Sequence, residues 1–223
     1  MIPSMLPGIN PKKEVHWPKD RLSNFTDSVF AFAITLLVLN IMETALPSGD
    51  KSLFEYMVKH SSMFVTYILT FLIVSRFWIS HTRLFALIRE YDRTVVDLNM
   101  LLLFFISLFP FVAVTFGNHI GNRDASMMYA GFFAAIGLIE YLIGKHVYTH
   151  DLLIKDESSE PHSLKVFSQY SLTAPTLFIA SILVAFISPV VAECMWLLLF
   201  AIRLAFRFYF RNNKNAEAEF EQL

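Results

Sequence analysis

Six long apolar stretches constrain this chain more than any other feature of its sequence. A helix needs roughly 20 largely apolar residues to cross about 30 Å of hydrocarbon at 1.5 Å per residue. The stretches cover residues 25–42, 56–80, 98–122, 126–148, 166–192 and 192–210. A hydrophobic content of 55% also exceeds what a soluble domain of 223 residues can bury. The sequence therefore predicts an all-α integral membrane protein with six transmembrane helices.

Lysine and arginine are distributed unevenly between the two sets of loops that six spans create. One set, with both termini, carries the basic residues Lys12, Lys13, Lys19, Arg83, Arg89, Arg93, Lys145, Lys155, Lys165, Arg207, Arg211 and Lys214. The opposite set carries little more than Lys51 and Arg123. Because basic short loops stay on the cytoplasmic side, both termini are predicted to be cytoplasmic. Residues 1–223 are then one six-span domain, with cytoplasmic segments at 1–20, 150–165 and 211–223.

Composition excludes several functional classes. The 18 basic and 19 acidic residues give a net charge of -1, so nothing favours a nucleic-acid partner. Cys194 is the only cysteine, which rules out an intrachain disulfide and a thiolate zinc site. The first 20 residues contain no apolar core, so a cleaved signal peptide is not expected. No serine lies in a nucleophile elbow, and we expect no enzymatic activity.

The first span carries an acidic residue and a regular stripe. An ionised carboxylate beside hydrocarbon is costly, so Asp27 should face protein or water. At 100° per residue, Ser28, Phe32, Thr35 and Leu39 share a narrow stripe, whereas Asp27, Ala31, Ile34 and Val38 lie on another face. Such a stripe fits a wet but constricted lining. It also fits two packed helices whose hydroxyls bond back to their own backbone. Taken without other information, such a stripe is more typical of core packing than of a pore lining.

The segment that begins this span resembles a known family. Residues 21–39 read RLSNFTDSVFAFAITLLVL. This string is similar to the Arg-x-x-x-Phe-Ser-Asp helix of the lysosomal and bacterial potassium channels known as transmembrane protein 175. The second span adds Trp78-Ile-Ser-His81 with Phe85, similar to the family's Trp-x-x-His element, and the third adds Asn99 and Pro110-Phe111. The resemblance covers most of the chain, although spans four to six carry little motif.

The resemblance implies a pore lined by the first helix. The residues that it assigns to the lining or gate are Ser28, Phe32, Thr35, Leu36 and Leu39. Phe32 stands five positions after Asp27, where the family places a bulky apolar constriction that is often isoleucine. Asn40 stands where an acidic residue is common, which weakens the case for a cation-attracting ring there. The first span contains no glycine, so the usual filter of stacked backbone carbonyls is excluded.

The same resemblance implies a structural network behind the pore helix. Its members are Arg21, Phe25, Thr26, Asp27, Trp78, His81 and Asn99, with Thr26 in place of the usual serine. Without the family resemblance, a simpler interpretation is also open for Arg21 and Asp27. The cation and the solvated carboxylate would then only anchor the helix at the membrane edge. The network is expected to support the helix rather than to bind ions.

Two further groups of polar residues are expected to be ordinary. His146 and His150 have the i, i+4 spacing of metal ligands, but at a membrane edge solvated histidines are commoner, so no metal site is expected. Glu140 lies within the fourth span, where a carboxylate can relay protons. For Glu140, pairing with Lys145 or exposure near the interface is the favoured interpretation.

The sequence thus predicts a potassium-permeable cation channel with a hydrophobic constriction. The resemblance implies a homotetramer in the cell inner membrane, with the bilayer, potassium and other monovalent cations as partners and no cofactor. The alternatives are a proton-permeable channel, a secondary transporter and a membrane scaffold without transport. No inverted repeat or broken mid-membrane helix was found to favour the transporter.

Overall fold

The computed structural model describes residues 19–42, 52–152 and 161–201, and helices dominate all three ranges. The helices are α1 (Lys19–Leu36), α2 (Leu39–Met42), α3 (Leu53–Lys59), α4 (Ser61–Ala86), α5 (Arg93–Ser107), α6 (Phe109–Gly117), α7 (Arg123–Thr149), α8 (Pro161–Ala185) and α9 (Pro189–Trp196). These ranges contain no extended strand. The predicted all-α class is therefore confirmed for the described residues.

Three helical segments of the described chain are long and apolar enough to cross a membrane. They are α4, the combined region of α5 and α6 (Arg93–Gly117), and α7. Leu172–Ala185 and Pro189–Ala201 are shorter apolar helices. Residues 202–210 of the sixth predicted span lie outside the described residues, as do residues 1–18 and 211–223 of the predicted cytoplasmic segments. Helix α8 begins at Pro161, within the predicted loop 150–165.

Two predicted spans are interrupted helices. In the first span, the N–H groups of Leu37 and Val38 bond only three residues back, at 3.3 Å each, and α2 follows. In the third span, Leu108 separates α5 from α6. Pro110 has no N–H to continue the α-helical ladder there, which explains the second break. Both spans were predicted as continuous helices, and they depart from that prediction at Leu37 and Leu108. Arg93–Gly117 is nevertheless long and apolar enough to cross a membrane as one segment.

Polar side chains mark the starts of three helices. Asp92 accepts from the Val95 N–H at α5, and Asn122 accepts from the N–H groups of residues 124 and 125 at α7. Ser188 precedes Pro189 and accepts from the Val191 N–H at α9. Each satisfies an N–H that the first helical turn leaves unpaired. Pro189, where the sequence predicts a tight turn into the sixth span, is the first residue of α9, so that span begins three residues before the predicted Ala192.

Aromatic rings and one close contact between helix backbones form the core between α7, α8 and α9. Phe133 of α7 lies 5.1 Å from Phe178 of α8, and Tyr129 lies 4.7 Å from Trp196 of α9, measured between ring centroids. A Cβ at Gly137 would stand 2.8 Å from the Pro175 Cδ atom. Glycine at this position therefore permits the backbones of α7 and α8 to approach closely.

Candidate functional site

Helix α1 has one face packed within the chain and one face that no other described helix covers. Its buried residues are Leu22, Thr26, Phe30 and Ala33, and they pack against α4 and α5. Leu37, just after the helix ends, is also buried. This spacing of three and four residues gives α1 a single packed stripe.

The predicted pore-lining residues lie on the opposite face. Ser28 and Thr35 are exposed, Leu36 is partly exposed, and Phe32 and Leu39 have exposed fractions of 66% and 46%. Ala31 and Val38, which the helical projection placed on another face, are exposed too. The uncovered face is consequently broader than the predicted stripe.

Two hydroxyl groups on the exposed face bond to their own helix. Ser28 donates to the carbonyl oxygen of Asn24 at 2.7 Å, and Thr35 donates to that of Phe32 at 2.8 Å. Threonine hydroxyls that bond back in this way can bend a helix. The weakened turn at Leu37 and Val38 begins two residues after Thr35, which agrees with such an effect.

The buried side of α1 is held by a chain of side-chain hydrogen bonds. Asn99 of α5 is fully buried, and its Nδ2 donates to Thr26 Oγ1 at 2.9 Å. Its Oδ1 accepts from His81 Nε2 of α4 at 3.0 Å. The buried amide therefore uses both of its ends to join three helices, which satisfies polar groups that would otherwise be costly in a membrane.

A second bond connects α1 to α4 nearer the surface. The Trp78 indole Nε1–H donates to Asp27 Oδ1 at 2.9 Å. Trp78 and His81 lie three residues apart and so share one side of α4. Asp27 thus faces a protein partner, as expected for a carboxylate at a membrane edge.

The two remaining predicted network residues are placed differently. Arg21 and Phe25 are exposed, and Phe25 has an exposed fraction of 52%. Within the described residues, neither takes part in the hydrogen bonds between α1, α4 and α5. The structure therefore joins Thr26, Asp27, Trp78, His81 and Asn99, and leaves Arg21 and Phe25 on the outer surface of the same helix.

Rings extend the network toward the link between α4 and α5. The His81 ring lies 5.9 Å from the Phe30 ring and stacks on Phe85 at 3.9 Å. Phe85 in turn lies 5.3 Å from Tyr91, which precedes α5. Phe85 belongs to the motif of the second span, but no feature of the sequence indicated Tyr91.

Two polar residues lie in surroundings that differ from those predicted from the sequence. Glu140 is only 3% exposed, and its Oε1 has no hydrogen-bond partner among the described residues, while Lys145 is exposed. The prediction of interfacial exposure for Glu140 is therefore wrong. His146 was expected to be solvated, but its side chain is 16% exposed and lies 2.6 Å from Asp92. The partner of His146 lies in the loop before α5, and periodicity along one helix cannot reveal it.

Metal ligands do not cluster in the described part of the chain. No group of three or more His, Cys, Asp or Glu side chains there could hold a metal ion. The site that the described residues do form is a supported helix with an uncovered face of alternating hydroxyl and apolar groups. Such a face can contact lipid, another copy of the chain, or a water-filled path between copies.

Comparison with known proteins agrees with the motif of the first helix. The sequence model of the family described as endosomal/lysosomal potassium channel TMEM175 matches residues 21–110. A potassium channel of Chamaesiphon minutus is 29% identical over 179 residues, which cover 75% of this chain and 84% of that protein. An endosomal/lysosomal proton channel TMEM175 of Danio rerio is 24% identical over 152 residues, 68% of this chain and 29% of that protein.

The fold is shared with a solved structure. The crystal structure of a lysosomal potassium-selective channel TMEM175 homolog from Chamaesiphon minutus matches with a TM-score of 0.69 at 26% sequence identity. The match covers 85% of this chain and 97% of that chain. The resemblance inferred from the first helix is confirmed, and so is the channel fold.

Proposed function

We propose, on the premise that this chain is a homologue of the TMEM175 channels, that it is a potassium-permeable channel in which four copies of α1 line the pathway. Phe32 then forms the constriction, and Ser28, Thr35, Leu36 and Leu39 form the rest of the lining. A network of side chains holds each copy of α1 against α4 and α5 and so fixes the distance of α1 from the pore axis. Its members are Thr26, Asp27, Trp78, His81 and Asn99.

The observation that carries this proposal is the contrast between the two faces of α1. Thr26 and its neighbours fix one face to α4 and α5 through buried hydrogen bonds. Phe32 on the other face is two-thirds exposed and has no covering helix in the described residues. A helix held so firmly on one side presents the other side in a defined direction, which a pore lining requires.

The proposed topology is that of the sequence analysis. It has six spans within one domain over residues 1–223, and both termini lie on the cytoplasmic side. In this topology the network lies at the cytoplasmic end of the bundle. The basic residues around the link between α4 and α5 support this orientation. The proposed location is the cell inner membrane.

Selectivity in this proposal comes from side chains. The first span contains no glycine with which to build a filter of backbone carbonyls. Four Phe32 rings converging on an axis would form an apolar ring that sheds water and limits conduction. Thr35, one turn further along, would supply polar oxygen close to the constriction.

The test is a matched pair of ring truncations. Phe32→Ala should widen and wet the constriction, raising potassium flux into liposomes on the order of tenfold, equivalent to a barrier lower by about 1.4 kcal/mol. It should also reduce the preference for potassium over sodium. Phe111→Ala is the control, because Phe111 is equally exposed at 65% but lies on α6.

Each result of this test decides the proposal. Equal changes from Phe32→Ala and Phe111→Ala, or no change from either, would remove α1 as the lining. Absence of potassium flux in the wild-type protein would favour the scaffold alternative. A current that is not linear with the gradient and saturates at low potassium concentration would favour a secondary transporter.

Proton permeation is a second candidate, and the names of relatives favour it. Several animal relatives, including the Danio rerio protein, are named proton channels. A narrow path with hydroxyl groups between apolar rings could pass protons along hydrogen-bonded water. A pH-sensitive dye inside the same liposomes, with potassium absent, would report proton flux separately.

A further inference from the structure

Two turns of opposite character lie at the end of the bundle where α7 begins. One is the loop of residues 118–122 between α6 and α7, which reads NHIGN and is exposed throughout. The other joins α8 to α9 at residues 186–188, which read FIS and contain no charged side chain. A turn that connects two membrane spans ordinarily lies in water, so the second turn requires an explanation.

Large apolar side chains cover the outside of this second turn. Ile187 has an exposed fraction of 89%, the highest of any large hydrophobic side chain in the described residues. Four more apolar side chains on either side of it are between 53% and 67% exposed. Together they form the apolar tip, which consists of Leu183, Phe186, Ile187, Val190 and Val191. Such a cluster is costly in water and marks a surface that contacts another apolar phase or protein.

The backbone of the turn is largely satisfied within the chain. The N–H groups of Ile187 and Ser188 both donate to the Val184 carbonyl at 2.9 Å. Ser188 Oγ accepts from the Val191 N–H at 3.4 Å, and Pro189 has no N–H to satisfy. Internal pairing of this kind is what hydrocarbon demands of a polypeptide, because lipid chains offer no hydrogen bonds.

Two contacts hold the apolar tip beside the polar loop. Glu193 of α9 accepts at its Oε1 from the Gly121 N–H at 2.9 Å and from Ser126 Oγ at 2.6 Å. The Arg123 Cζ atom lies 5.9 Å from the centroid of the Phe186 ring. The border between polar and apolar surface therefore passes between two neighbouring turns.

Arg123 has the properties of a residue at the level of the lipid headgroups. Its side chain is 56% exposed and pairs with Asp124 at 3.1 Å. A long cationic side chain covers apolar surface with its methylene groups while its charged end stays in a polar layer. Arg123 beside Phe186 thus marks the height at which hydrocarbon gives way to headgroups and water.

We propose that the apolar tip is inserted among the lipid acyl chains of the adjacent leaflet, while residues 118–124 beside it face water. The partner of this surface is the bilayer. The sequence supports this partner, because residues 166–192 contain no Asp, Glu, Lys or Arg that would have to be placed in hydrocarbon. The inference uses the membrane location of the fold and does not depend on conduction.

Packing within the chain favours lipid over a second copy as the occupant. Helices α8 and α9 pack on α7 and on each other, whereas α1 packs on α4, α5 and α6. With α1 at the axis of the proposed channel, the apolar tip would lie at the periphery of the assembly. An apolar surface without polar groups gains little specificity for a partner chain there, because lipid is equally apolar.

The test measures which phase surrounds each turn. Cys194 is the only cysteine of the chain, so Cys194→Ser gives a background in which one nitroxide label at a time can be attached. Ile187→Cys reports on the apolar tip. Ile120→Cys is the matched control, because Ile120 is an exposed isoleucine in the polar loop at the same end. The full chain is placed in phosphatidylcholine liposomes, and collisions of the label with molecular oxygen and with a water-soluble nickel chelate are measured.

The label at residue 187 should collide mainly with oxygen, which dissolves in hydrocarbon, and the label at residue 120 mainly with the chelate. The ratio of the two collision rates should differ between the sites by about tenfold or more, since 1.4 kcal/mol of exclusion from hydrocarbon already gives that factor. Leu183→Cys supplies a second position on the apolar tip if a label at residue 187 disturbs assembly. Its oxygen preference should be at least as strong, because Leu183 lies one turn further from the end of α8.

Each other result overturns the proposal. Equal access of the chelate to residues 187 and 120 would place the apolar tip in water. Protection of residue 187 from both reagents, with spin–spin broadening between labels, would show that a second copy covers it. Oxygen preference at both residues would remove the border between the two turns. None of these measurements uses potassium flux, so a failure of the channel proposal would leave this inference to be decided separately.

Discussion

The two halves of this bundle are joined by different kinds of contact. In the helix-1 junction, formed by Thr26, Asp27, Trp78, His81 and Asn99, side-chain hydrogen bonds of 2.9–3.0 Å connect α1, α4 and α5. In the aromatic junction, rings from α6, α7, α8 and α9 meet with centroids 4.5–6.2 Å apart. Its members are Phe116, Tyr129, Phe133, Phe178 and Trp196.

The difference reflects what each contact can specify inside a bilayer. Lipid is as apolar as a ring, so the aromatic junction gains stability from dense packing and tolerates changes of similar shape. Hydrogen bonds have direction and fixed partners, so the helix-1 junction sets the rotation of α1 as well as its position. The half with the candidate pore helix is thus the half whose geometry is specified by polar groups.

Trp196→Ala should have the largest effect and would show how far packing alone supports the second half. The ring is fully buried against Phe116, Tyr129 and Phe178, and its Nε1–H donates to Ser181. Truncation of a buried tryptophan costs about 3–5 kcal/mol. Melting in detergent should show a decrease of several degrees. Leu197→Ala, at an exposed neighbouring position, is the control, and an equal decrease there would contradict the importance of the ring.

Asn99→Ala should come next and would show whether the polar junction acts as a unit. The change leaves Thr26 and His81 buried without this partner, at about 1–3 kcal/mol for each group. Adding Thr26→Val to Asn99→Ala should cost little more, or restore some stability, because one unpaired hydroxyl is removed. A double-mutant cycle on melting in detergent measures this coupling. Purely additive losses would show that the bonds act independently.

Gly137→Ala should have a smaller effect and would test the approach of α7 to α8. The new methyl group would meet Pro175 Cδ at 2.8 Å, and overpacking of this kind costs about 1–3 kcal/mol. Gly131→Ala is the matched control on the same helix, since beyond its chain neighbours and the nearby helix backbone a Cβ there would meet no described atom within 4 Å. Melting of the control should be unchanged or slightly raised. If both variants melt alike, the proximity to Pro175 does not restrict the backbone.

The sequence predicted the helical class and most members of the helix-1 junction, because these depend on local hydropathy and on one compact motif. It did not predict which atoms would pair. That Asn99 bonds to both Thr26 and His81, while Asp27 bonds to Trp78, depends on how three helices are rotated against one another. Arg21 belongs to the motif, yet it is exposed and takes no part in the hydrogen bonds between α1, α4 and α5.

Residues whose partners are distant in sequence were the ones misjudged. Glu140 and His146 were interpreted from their own helix, whereas packing of other helices buries Glu140 and Asp92 pairs with His146. The break at Leu37 and Val38 has no proline or glycine to signal it. It follows a threonine whose hydroxyl is turned onto its own helix, a rotamer that composition does not reveal.

The hydroxyl groups on the uncovered face of α1 have a consequence for the sign of charge that this face attracts. Ser28 and Thr35 each have one hydrogen, and each hydrogen is already directed at a helix carbonyl. The lone pairs of these oxygens remain available to groups outside the helix. In the proposed tetramer, four such helices would direct these hydroxyl oxygens at a passing ion as acceptors and would offer it no hydrogen from either hydroxyl. An arrangement of this kind can replace the water around a cation and cannot solvate chloride, so anions would be excluded without any fixed negative charge.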